Sequence, residues 1–101
     1  MTLSPPQFGD VSHLFTYFNA NAYGPEQLIE DLPTMPNTLQ EKSKSDLRYL
    51  LDSNMLYADD FYEATACKAK DEASARKFFE DVYKYAFEGG EEPDVTDYWD
   101  R

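Results

Sequence analysis

Phe8, Val11, Leu14, Phe15 and Phe18 follow one another at three- and four-residue steps, the interval at which one face of an α-helix returns. The spacing predicts a first helix over 7–20. The run NANAYGPE interrupts it with two asparagines and a glycine, and Pro25 then sits where a first helical turn tolerates proline. A second helix over 25–32 is expected to bury Leu28, Ile29 and Leu32. Pro33 and Pro36 stop it, and Thr38 with Glu41 forms a capping-box pattern ahead of Leu39, Leu47, Leu50 and Leu51. A third helix is predicted over 38–52. After the break at Asp52-Ser53-Asn54, the steps between Leu56, Phe61 and Ala64 suit a fourth helix reaching about Ala69. Asp71 or Ser74 can cap a fifth, whose inward stripe is Phe78, Phe79, Val82 and Ala86 and whose terminator is Gly89-Gly90.

No segment alternates cleanly enough for a strand, and three valines and one isoleucine leave little β-forming material. The pattern predicts an all-α, single-domain bundle of about five helices spanning 1–101, with its core over about 7–90 and an acidic, aromatic tail at 91–101.

Charge changes this picture from a fold to a function. Twenty acidic residues against nine basic ones give −11, beyond the magnitude of about 2–8 that keeps a small domain in solution. Residues 1–41 hold no lysine or arginine, and the last fourteen carry six carboxylates against one arginine. Like charges on a compact body repel, so the excess points to an interaction with something basic. It also argues against direct nucleic-acid binding, because phosphate contacts need cations. At 16% aromatic and 42% hydrophobic, the chain differs from disordered acidic tails and should fold.

Cys67 is the single cysteine and His13 the single histidine, which excludes an internal disulfide and a Cys/His zinc site in one chain. The N-terminus carries no basic region followed by an apolar run, and no stretch nears the roughly 20 apolar residues of a membrane span. A soluble, cytoplasmic protein without membrane association is expected.

Two acidic constellations are candidates for the site. Asp59, Asp60 and Glu63 make a DDxxE pattern, and on a helix three such carboxylates can hold magnesium. No glycine-rich loop or basic motif accompanies them to hold a phosphate, and Asp59 and Asp60 equally suit a helix N-terminus. In the tail, Glu91, Glu92, Asp94 and Asp97 surround Tyr98 and Trp99 without the spacing of a calcium loop. Trp99 suits an interface anchor and also a core residue folded back on the bundle. His13 and Cys67 have no partner in a nucleophile signature, so no enzyme activity, metal, cofactor or small-molecule substrate is expected. Tyr57, Tyr62, Tyr83 and Tyr85 cannot all point inward with the phenylalanines, which leaves some for a recognition surface.

The FTYF at 15–18, the Pro25-Glu26 helix start, DLRYLLDSN at 46–54 and ARKFFEDVYKY at 75–85 together form a pattern. Over about residues 8–87 it resembles the immunity proteins of bacterial contact-dependent growth inhibition systems, the antidotes encoded beside polymorphic toxins. Many members follow the Tyr-Phe pair with a histidine and an acidic-Trp step, where this chain has Asn19-Ala20-Asn21-Ala22. The resemblance implies an all-helical, non-catalytic protein that binds one cognate toxin domain, often a nuclease, and blocks its active site or substrate approach.

The charge leads to the same expectation separately, since a nuclease is basic where it meets phosphate and an acidic antidote complements it. The expected partner is a basic toxin, bound as a heterodimer. Its electrostatic contacts are expected among Asp59, Asp60, Glu63, Glu91, Glu92, Asp94 and Asp97, with Tyr57, Tyr98 and Trp99 as anchors. The competing readings are a nucleic-acid mimic or anti-restriction inhibitor, a magnesium enzyme built on the DDxxE cluster, and a helical adaptor whose acidity is incidental.

Overall fold

Phe78 meets five other aromatic rings. Phe15, Phe18, Phe61, Phe79 and Tyr98 all lie with ring centroids 5.0–6.3 Å from it, mostly edge to face, the arrangement that ring quadrupoles favour. These rings come from the N-terminal turns, α4, α5 and the C-terminal segment, so the core is organised around the middle of the last long helix. The structure, a computed structural model, describes residues 5–100. Its five α-helices are α1 (Phe8–Val11), α2 (Pro25–Asp31), α3 (Asn37–Asp52), α4 (Ala58–Thr65) and α5 (Glu72–Phe87). Among the described residues there is no strand, and the Cα radius of gyration is 13.0 Å, equal to the roughly 13 Å of a compact 100-residue domain.

The segment expected to be one helix over 7–20 is instead α1 followed by 3-10 turns at Ser12–Leu14 and Thr16–Phe18. Ser12 and Thr16 each turn a hydroxyl back onto the carbonyl three residues earlier, at Gly9 and His13. Such side-chain bonds compete with the α-helical ladder. The tighter turns still bury Val11, Leu14, Phe15 and Phe18 completely, because a three-residue repeat returns nearly the same face.

Helix α2 begins at Pro25 as expected and gives way to a 3-10 turn at Leu32–Thr34. Leu28 and Leu32 are buried, but Ile29 is 40% exposed. In α3 the start falls one residue early and no side-chain capping box forms. The Pro36 carbonyl accepts from the Leu39 and Gln40 amides instead, and the Gln40 side chain reaches back to the Met35 carbonyl at 2.7 Å. Leu39 consequently faces outward, and the buried stripe is Ser43, Leu47 and Leu50.

Helix α4 ends at Thr65, short of the expected Ala69, because its last carbonyls are taken from outside. Asn19 Nδ2 donates to the Ala64 carbonyl and the Ala20 amide to that of Thr65. Ala66 then adopts the left-handed conformation at φ 63° and the chain turns away. Helix α5 is capped by Asp71, whose carboxylate accepts the Ser74 amide at 2.7 Å. Tyr83 is buried on its inner face while Ala86 is only half-buried. At its end Gly89 takes φ 70°, and the Gly90 amide closes on the Lys84 carbonyl at 2.9 Å, the αL termination that glycine permits. Arg48 joins α3 to α5, pairing with both oxygens of Glu80 at 3.2–3.3 Å while its guanidinium lies 4.9 Å from the Tyr83 ring centroid.

The core does not stop near residue 90. Val95 and Tyr98 are 4% and 6% exposed within the central cluster, and Trp99 packs against it. The segment from 91 to 100 folds back as a strap across α5 and pairs with the loop before it. Ala69 and Trp99 form an antiparallel bridge, flanked by bonds from the Lys70 amide to the Tyr98 carbonyl and from the Asp100 amide to the Lys68 carbonyl.

Candidate functional site

Among the described residues, Tyr57 and Tyr62 are the two most exposed large hydrophobic side chains, at 54% and 60%. Both belong to α4 or its N-cap, whose inward face is fixed by the fully buried Phe61. Anchoring Phe61 inward turns Asp59, Tyr62 and Glu63 toward solvent, as the 100° step of a helix requires. Residues 49–67 contain no lysine or arginine, so these carboxylates have no cation on their own segment.

Asp60 and Glu72 have local work. The Asp60 carboxylate accepts the Tyr57 amide at 2.8 Å and the Glu72 carboxylate the Ala58 amide at 2.9 Å, satisfying two orphan donors at the start of α4. Burial pushes the Asp60 carboxyl above the ordinary carboxylate range; the Tyr57 amide opposes this, while Glu63, Asp59 and Glu72 add to it by like-charge repulsion. Among the described residues no three His, Cys, Asp or Glu side chains are gathered as metal ligands. The DDxxE pattern is divided between a helix cap and the solvent face.

Beside α4 the surface dips into two adjoining depressions of about 440 and 420 Å³. The first lies between α1, the end of α3 and the start of α4, and the second continues along the 3-10 turns. Phe8, Ser12 and Glu63 line both, which makes them one groove. Apolar Leu50, Met55 and Ala64 floor it, and Tyr57, Asp60 and Glu63 stand on its α4 side. Its described lining includes no lysine or arginine.

The second acidic constellation has a different setting. Glu91, Glu92, Asp94 and Asp97 line a depression of about 350 Å³ that also contains Lys77 and Lys84. Lys77 pairs with Asp81 at 2.7 Å, and Lys70 donates to the Asp97 carbonyl at 3.1 Å. Asp94 accepts from both the amide and the hydroxyl of Thr96, and Glu92 accepts from the Tyr85 hydroxyl at 3.4 Å. The tail carboxylates thus lie among the protein's own cations and donors. Tyr98 is buried with its hydroxyl on Asp81 at 2.6 Å, and Trp99 follows the core reading through its bridge to Ala69.

The groove brings together Tyr57, Asp60 and Glu63, with Asp59 and Tyr62 on the adjoining face of α4. Glu91, Glu92, Asp94, Asp97, Tyr98 and Trp99 belong to the separate strap over α5. Phe8 and Met55 escape the sequence pattern, which pairs neighbours in the chain, because the groove is assembled from α1, the end of α3 and α4; Glu72 reaches the start of α4 from α5, outside the groove lining. Glu72 had one legible signal, its place in the first turn of a helix. His13 contributes to neither cluster; its Nε2 lies 2.9 Å from the buried Ser43 hydroxyl, an interhelical contact. No family model, curated protein or solved structure matches the chain. No helix among the described residues is long and apolar enough to cross a membrane.

Proposed function

We propose that this chain is an immunity-type antidote, a non-catalytic protein that binds a basic toxin domain as a heterodimer and blocks its active site or the approach of its substrate. The toxin class that fits is a nuclease such as an RNase, met in the cytoplasm. The observation that carries this reading is the α4 surface, where Asp59 and Glu63 stand beside two exposed tyrosines on a stretch without a cation. Exposed tyrosine supplies contact area at small entropic cost. Uncompensated carboxylates supply steering, which can raise association to about 10⁸–10⁹ M⁻¹ s⁻¹ at low salt. Both are useful against a lethal partner. The resemblance to contact-dependent inhibition antidotes implies an all-helical body, and the described residues are all-α.

The test uses the chain as bait in the organism that encodes it, followed by titration of any basic protein recovered over a series of salt concentrations. One stoichiometric partner with nuclease activity that the chain silences supports the reading. Capture of several DNA-binding proteins together would replace it with nucleic-acid mimicry, and a partner whose affinity ignores both salt and the Asp59→Lys/Glu63→Lys variant would sink the electrostatic assignment.

A further inference from the structure

Charge alone does not choose between the two acidic regions, but their surroundings do. The strap carboxylates share their depression with Lys77 and Lys84, so an incoming cation meets repulsion as well as attraction. The groove between α1 and α4 has carboxylates on one wall, an apolar floor and no described cation in its lining. Tyr57, 54% exposed, presents a ring at the same wall. A planar guanidinium matches this combination better than an ammonium does, because it can pair with a carboxylate and lie flat against an aromatic face together.

We infer that the groove between α1 and α4 is the docking surface for an arginine-bearing segment of a basic protein, with the guanidinium placed against Glu63 and Tyr57 and an adjacent apolar side chain on Phe8 and Met55. This rests on the proposed binding of a basic partner and adds which surface receives it and which side chain is read. The groove also offers a variant that leaves every charge in place. Gly9 lines it, and a Cβ built there meets no atom within 4 Å. A leucine at this position adds bulk at the rim of the groove without a clash at its Cβ.

The experiment is an amide NMR titration of the full chain with acetyl-Gly-Arg-Leu-Arg-Gly-amide and its lysine counterpart at fixed ionic strength. Shifts are expected to concentrate at Phe8, Gly9, Ser12 and Glu63, with the arginine peptide binding about threefold more tightly than the lysine peptide, the scale of an exposed cation-π contact. Gly9→Leu and Glu63→Gln should each weaken binding by about threefold or more, the scale of one exposed charge contact, while Glu91→Gln, the same charge change on the strap, leaves it unaltered. The spectra of the variants report whether each is folded. Shifts centred on the strap, equal binding of both peptides, or unchanged binding by Gly9→Leu would overturn the groove assignment while leaving a basic partner in place. No shift with either peptide would overturn it as well, and the bait experiment then decides the broader reading on its own.

Discussion

Tyr98 donates its hydroxyl to the Asp81 carboxylate at 2.6 Å, and this bond ties the C-terminal strap to the outer flank of α5. Burial, and then the adjacent Asp81 charge, pushes the phenol pKa far above its ordinary value. The hydroxyl therefore stays protonated and remains a donor. On the other side, burial alone would raise the Asp81 carboxyl, but donation from Lys77 and Tyr98 outweighs it and holds the group below the usual carboxylate range.

Removing only the hydroxyl leaves the ring in the aromatic cluster, so Tyr98→Phe should cost about 1.5–3 kcal/mol, as expected for a hydrogen bond to a charged acceptor. Tyr98→Ala should cost about 3–5 kcal/mol, since it also empties a buried aromatic site against Phe78. Urea denaturation followed by tryptophan fluorescence checks both. A Tyr98→Ala cost no larger than that of Tyr98→Phe would mean that the strap does not belong to the cooperative core.

Asp60 should behave in the opposite sense to Asp81. Its folded pKa is raised, so the ionised group opposes folding at neutral pH, and stability contributed by its protonation appears as pH falls through that raised value. Asp60→Asn keeps an acceptor for the Tyr57 amide and removes the charge. The variant is expected to melt at a higher Tm than the parent at pH 7, with the difference vanishing as pH falls toward 3.8. An unchanged or lower Tm at pH 7 would show that the crowding of carboxylates at α4 carries no cost.

His13 supplies a second pH dependence. Burial, followed by the Lys42 charge, holds its imidazole below the ordinary value of 6.5. The unfolded chain then takes up the proton first, so the stability contributed by neutral His13 is complete above about 6.5 and is lost as pH falls from there through the folded pKa. Thermal melts between pH 7.5 and pH 5, in steps of about half a unit, should show this loss in the parent and not in His13→Gln. An identical slope in both would place the titrating group elsewhere.

Gly89 sits at φ 70° with open space around its Cα, while a Cβ at Gly90 would come within 3.0 Å of Lys84 Cβ. The two glycines therefore resist substitution for different reasons. Gly89→Ala should cost about 1–2 kcal/mol through the left-handed backbone, and Gly89→Asn less. Gly90→Ala should instead loosen the end of α5, read as faster amide exchange at Glu88 and Gly90. Equal costs for alanine and asparagine at position 89 would contradict the backbone explanation.

Much of the helical content was legible from spacing, and the departures have local causes. The stripes Leu47–Leu50 and Phe78–Val82 set the facing sides of α3 and α5, and Pro25, Asp71 and Gly89 marked ends that the structure keeps. The segment 7–20 was harder, because steps of three and four fit a chain of 3-10 turns as well as an α-helix, and the hydroxyls of Ser12 and Thr16 tip the balance. The end of α4 is set by Asn19 and Ala20, more than forty residues away, and the strap by pairing between Lys70 and Tyr98. No local pattern encodes such contacts. The site divided in the same way: Tyr57, Asp60 and Glu63 were visible as neighbours in sequence, whereas Phe8 and Met55 join them only through the fold.

The lysines and arginines of the described residues fall within 42–48 and 68–84, leaving α1, α2 and α4 to the acids. Such an arrangement concentrates the cations on two stretches of the chain and leaves α1, α2 and α4 without any. An uneven charge distribution lets an approaching polycation exert a torque as well as a pull, turning the molecule before the surfaces touch, and this shortens the rotational search that ordinarily slows docking. The aid is confined to the last stretch of approach, because salt at physiological strength extinguishes the field over about 8 Å. Capture speed should therefore depend on where the carboxylates lie, and two variants of equal net charge need not intercept a partner at the same rate.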